Sequence, residues 1–181
     1  MDNKSVSIVG HEQLGIRVFK NGIQNSANLI DTIERVAGGK QSGQCLWQPA
    51  QVGLYTNDFD SRKCFDWKPT RKFAEEIKSK DKEFYDVFEI LESSIKSCVA
   101  DFCSPYGLGL GYMEVMNIIK YYEGQYFNPH TDDGATYIST VSSVAYLNDN
   151  YEGGGLYFDV FDIEIKPEAG DVVVFPSTFI Y

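Results

Sequence analysis

Two residues of complementary chemistry stand two positions apart in "NPHTDDG" (128–134): His130 and Asp132. In an extended segment, residues i and i+2 project to the same face. The imidazole and the carboxylate then point together, and Asp133 turns away. Such a pair can occupy two neighbouring corners of an octahedral metal. A second imidazole would complete the facial triad that suits non-haem Fe(II), with three positions left open. Zinc suits the pair less well, because it more often takes three or four protein ligands. A His-x-Asp triplet also arises by accident, and a surface histidine beside an acidic turn is the alternative reading. The other histidine of the sequence, His11, lies in a polar N-terminal segment, a poor position for the missing ligand.

The elements that must hold this pair change character near residue 105. Before it, "NSANLIDTIERVAGG" (25–39) places Leu29, Ile30, Ile33 and Val36 on one helical face. Asn25 or Ser26 serves as a start signal and Gly38-Gly39 as a stop. "DKEFYDVFEILESSIKSCVADFC" (81–103) carries Phe84, Val87, Phe88, Leu91, Ile95, Cys98, Val99 and Phe102 at steps of three and four, a long amphipathic helix. "GIRVFKNG" reads as a short strand. The aromatic stretch between the helices reads as a strand fragment and then a surface loop, with "DSRKCFDWKPTRK" (60–72) as a solvated loop. After residue 105 the pattern is β: 112–122, 140–147, 155–165 and 171–176, with turns at 148–155 and 166–171. Helices followed by antiparallel strands predict an α+β architecture, a jelly roll with N-terminal helices packed on one sheet.

Composition narrows the function classes. The 181 residues are 43% hydrophobic and 14% aromatic, enough for one domain with a substantial core. A net charge of -10 argues against a nucleic-acid partner, which would require clustered Lys and Arg. No stretch has the length of a membrane span, and no N-terminal apolar core suggests a secretory signal. Cys45, Cys64, Cys98 and Cys103 match no zinc spacing. Reduced thiols and a cytoplasmic location are the expectation.

The order of short motifs is more specific than any one of them. "YYEGQYFNPHTDD", "YLND", "YEGGGLYF" and "PEAGDVVVFPS" follow one another over residues 112–181. This series resembles the prolyl 4-hydroxylase-like branch of the 2-oxoglutarate- and Fe(II)-dependent dioxygenases. The resemblance implies a double-stranded β-helix, with Fe(II) bound by His130 and Asp132. It places Tyr121 in the wall of the 2-oxoglutarate pocket and Tyr146 at the distal carboxylate of that cosubstrate. Ascorbate is a candidate auxiliary. The implied substrate is a peptide or protein, by analogy a peptidyl proline. The implied reaction uses O2 and converts 2-oxoglutarate to succinate. Tyr122, Tyr126 and Phe127 could shape a substrate groove or belong to the core. Tyr146 gains support from strand parity, since Thr140, Ser142, Val144 and Tyr146 share one face that mixes polar and apolar groups.

The departures from the family pattern concern the far side of the site. Family members place a second metal-binding His after the "GDxxxFPS" region, and then an Arg or Lys that pairs with the cosubstrate. Neither occurs before Tyr181. The apolar ending "VVVFPSTFIY" predicts one domain that is incomplete at its C-terminus, with a helical part at about 1–105, a β-rich core at about 106–181, and the closing strands missing. Two protein ligands predict a 181-residue polypeptide with little or no activity of its own. The rival expectation is a non-catalytic jelly-roll module that lost the second histidine. A metal-dependent hydrolase or a cupin-like enzyme would need more histidines than are present.

Overall fold

The computed structural model describes residues 14–40, 43–52, 58–133 and 139–181. His11 lies outside them. The chain is mixed α and β, with small antiparallel sheets, and packs as two compact units interleaved in sequence. Of the described residues, those up to Ala27, within 90–112 and within 129–181 form the first, and those within 28–89 and 113–128 form the second.

The first unit is built on a three-stranded sheet in the order β1-β10-β7. Its strands are β1 (Arg17–Phe19), β7 (Val141–Ala145) and β10 (Val172–Pro176). The central strand, β10, reads Val-Val-Val-Phe and is buried on both faces, as its continuous apolar run requires. Val173 and Phe175 face an apolar cluster with Ile16, Val18, Leu156, Phe158 and Ile165. Leu156 and Ile165 come from the hairpin β8 (Leu156–Phe158) and β9 (Ile163–Ile165). Val172 turns to the opposite face, where a Cβ on Gly22 would meet both Val172 and Cys98 of the long helix. Arg17 donates to the Asp101 carbonyl of that helix. The turn before β10 is tied by Asp171, which is 1% exposed. Its carboxylate accepts from Lys20 Nζ at 2.8 Å, the Asn21 N–H at 3.2 Å and the Glu168 N–H at 2.9 Å. Gly170 has φ +91°, and a side chain there would place Cβ 2.5 Å from the Ile23 carbonyl oxygen. Only glycine combines that conformation with that approach.

The second unit holds α1 (Ser26–Ala37, which starts at the boundary), α2 (Arg71–Ile77) and the first turns of α3 (Lys82–Cys103). Beside them lie a β2-β4-β5 sheet of Gln48–Pro49, Phe65–Trp67 and Ile118–Lys120, and the pair β3 (Arg62–Lys63) with β6 (Tyr126–Phe127). An aromatic cluster joins Trp47, Trp67, Phe73 and Phe84 at centroid distances of 5.3 to 6.4 Å. Such edge-on and tilted rings each add about 0.5–1.5 kcal/mol beyond their burial.

Asp81 starts α3. Its carboxylate accepts the Phe84 N–H at 3.0 Å, an N-cap bond, and both Nη atoms of Arg35. Arg35, opposed by partial burial and helped by the Phe84 N–H, holds the Asp81 carboxyl below its ordinary value. A depressed folded pKa gives stability that is present above the unfolded value near 3.9. It is lost as pH falls through the folded value. Asp81→Asn is therefore expected to cost about 1–3 kcal/mol at neutral pH. Urea unfolding at a series of pH values should show that difference shrinking below about pH 4.

Three sequence expectations need correction. Residues 60–72 are not a solvated loop. Arg62 in β3, Asp66 and Trp67 in β4, and Cys64 between them are buried, and Arg71 opens α2, capped by Thr70. The alternation of buried Arg62 and Cys64 with exposed Lys63 is a strand period hidden by polar residue types. Residues 112–122 form a strand only at Ile118–Lys120, since earlier residues have no partner strand and Tyr112 is 85% exposed. Residues 155–165 form a hairpin and not one strand, because the chain turns through Asp159–Phe161 with Asp162 at φ +54°.

Candidate metal centre

His130 and Asp132 lie on the segment that follows β6, in the first unit. Their backbone is fixed by the chain that leaves β10. His130 and Tyr181 exchange both N–H···O bonds at 3.1 Å, and the Asp132 and Asp133 N–H groups both donate to the Ser177 carbonyl, at 3.1 and 3.2 Å. The segment thus runs beside 177–181 like a short antiparallel pair. The His130 ring packs on the Tyr181 ring with centroids 4.5 Å apart.

The two side chains meet. His130 Nε2 and Asp132 Oδ1 are 3.7 Å apart, and both groups are partly open to solvent, at 22% and 38% exposure. That separation exceeds a direct hydrogen bond. Ligands at about 2.1 Å on neighbouring octahedral corners stand ~3.0 Å apart, so a small torsional adjustment would let both atoms reach one divalent ion. The donor set of one imidazole nitrogen and one carboxylate oxygen suits Fe(II). Among the described residues no group of three or more His, Cys, Asp and Glu side chains is placed to hold a metal ion.

Asp132 does not hang free. Its other oxygen, Oδ2, accepts from Ser142 Oγ at 2.5 Å. Ser142 Oγ lies 2.8 Å from Ser177 Oγ, and Ser177 Oγ lies 2.9 Å from Ser139 Oγ. Ser142 is 6% exposed and Ser177 is fully buried. Sequence reasoning placed Ser142 on the Tyr146 face and quoted Ser177 within "FPS", but gave neither a role. For Ser142 the legible signal was a polar residue at a strand position where an apolar one would be expected; Ser177 lies in the turn after β10 and had no such signal.

The two tyrosines proposed for the cosubstrate sit in different surroundings. Tyr146 continues β7 on the Ser142–Val144 face. It is half-buried and packs, with Val144, against the cluster around Val173, Phe175 and Phe158. Its N–H donates to the Asp171 carbonyl and its own carbonyl accepts from the Gly170 N–H. Tyr121 belongs to the second unit. Its ring is half-exposed, yet burial of the hydroxyl and its contact with Cys64 push its pKa well up. Of the three aromatics considered for a groove, Tyr122 packs edge-on against Phe65, Tyr126 donates to the Phe59 carbonyl, and Phe127 lies beneath the Arg62 guanidinium.

Residues 116–181 match the family model described as the 2OG-Fe(II) oxygenase superfamily. This segment is similar to that superfamily. It contains His130, Asp132, Ser142 and Ser177, and with them β7 and β10. A curated relative named "Putative prolyl 4-hydroxylase", from Acanthamoeba polyphaga mimivirus, is 26% identical over 95 residues. That alignment covers 45% of this chain and 38% of the relative, so the chain spans well under two thirds of its length. The fold is similar to a Trichoplax adhaerens prolyl hydroxylase in complex with a hypoxia inducible factor oxygen degradation domain peptide fragment. There the TM-score is 0.66 at 16% identity, over 92% of this chain and 74% of that one. It is also similar to a Pseudomonas putida prolyl-4-hydroxylase, with TM-score 0.58 and 19% identity over 97% and 87% of the two chains. The matched segment is similar to the oxygenase superfamily, and the relatives the chain is similar to are prolyl hydroxylases by name.

Proposed function

We propose that this chain forms the iron- and 2-oxoglutarate-binding part of an oxygenase that hydroxylates a prolyl residue of a peptide, on a jelly-roll scaffold. The observation that carries this reading is the His130–Asp132 pair, 3.7 Å apart inside the superfamily segment. When bound, Fe(II) with 2-oxoglutarate supplies the oxidising chemistry, in which O2 and 2-oxoglutarate give succinate, CO2 and a hydroxylated substrate. The protein's part is to hold and orient. His130 and Asp132 hold the ion, and Ser142 keeps one Asp132 oxygen occupied. We assign Tyr146 to the distal carboxylate of 2-oxoglutarate. The apolar cluster beside Tyr146 keeps water away from that end. A peptide substrate is supported by the peptide bound to the Trichoplax neighbour.

Paramagnetic broadening tests the reading directly. Titration of the 181-residue protein with Mn(II) is expected to broaden the NMR signals of His130, Asp132 and Tyr181 first, with 2-oxoglutarate sharpening the dependence on Mn(II). Spectra indifferent to Mn(II) at those residues would overturn it. With one imidazole and one carboxylate, succinate formation by these 181 residues alone is expected to stay near background. Appreciable succinate would show that a third ligand is supplied after all. A second reading, a binding module without catalysis, would leave 2-oxoglutarate without effect on the titration.

A further inference from the structure

We propose that Ser142 and Ser177 are positioning residues that set which oxygen of Asp132 faces the metal. The inference rests on the metal reading above. A carboxylate on a partly open segment can rotate about its last torsion and offer either oxygen, or both. Here one oxygen is committed: Oδ2 accepts from Ser142 Oγ at 2.5 Å, while Oδ1 is the atom directed at His130 Nε2.

Proton accounting extends the device to Ser177. A serine hydroxyl has one proton to give and two lone pairs to accept with. The Ser142 proton goes to the carboxylate, the stronger acceptor. The 2.8 Å contact between Ser142 and Ser177 is then satisfied by the Ser177 proton, and Ser139 can donate to Ser177 in turn. With Ser142 donating to the carboxylate, Ser177 is placed to donate to Ser142, and the Ser139–Ser177 contact fits a donor at either end. The same Ser177 holds the Asp132 backbone through its carbonyl. One buried residue therefore fixes both the main chain and, through Ser142, the side chain of the acidic ligand. A buried hydroxyl pair needs partners in any fold. What exceeds that need is its convergence on a carboxylate that is itself 38% exposed and could have been left to water. Hydrogen bonds of this kind, made to the ligand and not to the metal, orient metal-binding side chains generally.

The test is Mn(II) titration of the full 181-residue protein, followed by paramagnetic broadening at Tyr181, with thermal unfolding measured in parallel. Ser142→Ala is expected to weaken Mn(II) binding about 10-fold or more. Ser142→Thr, which keeps the hydroxyl, is expected to restore it to within about twofold. Ser177→Ala should follow Ser142→Ala. If Ser142→Ala binds Mn(II) as tightly as the parent while His130→Ala loses binding, the metal site stands and the positioning role falls. The role also falls if Ser142→Thr is as weak as Ser142→Ala at an unchanged unfolding temperature. If His130→Ala binds as the parent does, the metal reading fails and this inference with it.

Discussion

Asp132→Ala is expected to abolish divalent-metal binding at this site without unfolding the protein. The carboxylate is one of the two donors proposed for the metal, and its partner His130 cannot hold an ion alone with useful affinity. The loss should exceed the ten- to hundredfold that removal of an orienting group typically costs. The fold is expected to persist because the backbone link is independent of the side chain: the Asp132 N–H keeps the Ser177 carbonyl. Asp132→Asn sharpens the result. It keeps an oxygen for Ser142 and removes the charge, so binding should still be lost while the serine chain survives. Mn(II) titration and the unfolding temperature of both variants check the expectation. A variant that binds Mn(II) like the parent would remove Asp132 from the site.

Phe175→Ala is expected to give the largest loss of stability of any single substitution considered, about 3–5 kcal/mol. Phe175 is fully buried at the centre of the first unit's core. Its ring meets Phe158 edge-on at 5.0 Å and Tyr181 at 4.7 Å. Truncation removes a large transfer term and leaves a cavity bounded by β10, the β8–β9 hairpin and the 177–181 segment. Those walls are tied by backbone bonds and cannot close fully, which is why the cost lies at the upper end. Total stabilities of domains run to about 5–15 kcal/mol, so the variant stands near the edge of folding. Urea unfolding followed by far-ultraviolet circular dichroism measures the loss. Both tryptophans, Trp47 and Trp67, belong to the other unit. Fluorescence therefore reports that unit separately, and its midpoint is expected to shift less. A loss under about 1 kcal/mol, the level typical of surface changes, would show that the cluster is not the core described. The variant also weakens the Tyr181 platform on which His130 rests, so metal binding should decline with it.

The sequence by itself determined a good part of this protein. The helix faces were legible because their apolar residues recur at three and four: Phe84, Val87, Phe88, Leu91, Cys98 and Phe102 are all buried. The strands 141–145 and 172–176 were legible from β-branched runs bounded by turn residues, and Gly170 from its place in "PEAGD". His130 and Asp132 were legible as a pair because i and i+2 spacing is a local property. Only the tertiary structure decided the rest. Asp66 and Arg62 are polar types, and local pattern cannot say that Arg62 lies over Phe127, 65 positions along. The strand expected at 112–122 failed for the same reason: strand formation depends on a partner, and a partner is a non-local fact. The serine chain is the sharpest case. Ser139 and Ser177 carry no periodic signal and Ser142 only its place on one strand face, and their convergence on Asp132 exists only because β10 runs antiparallel to β7 and delivers Ser177 beside the His130–Asp132 pair. Side-chain type and spacing are written in the chain, but which hydroxyl meets which carboxylate is fixed by sheet register, and register is set by the whole core at once.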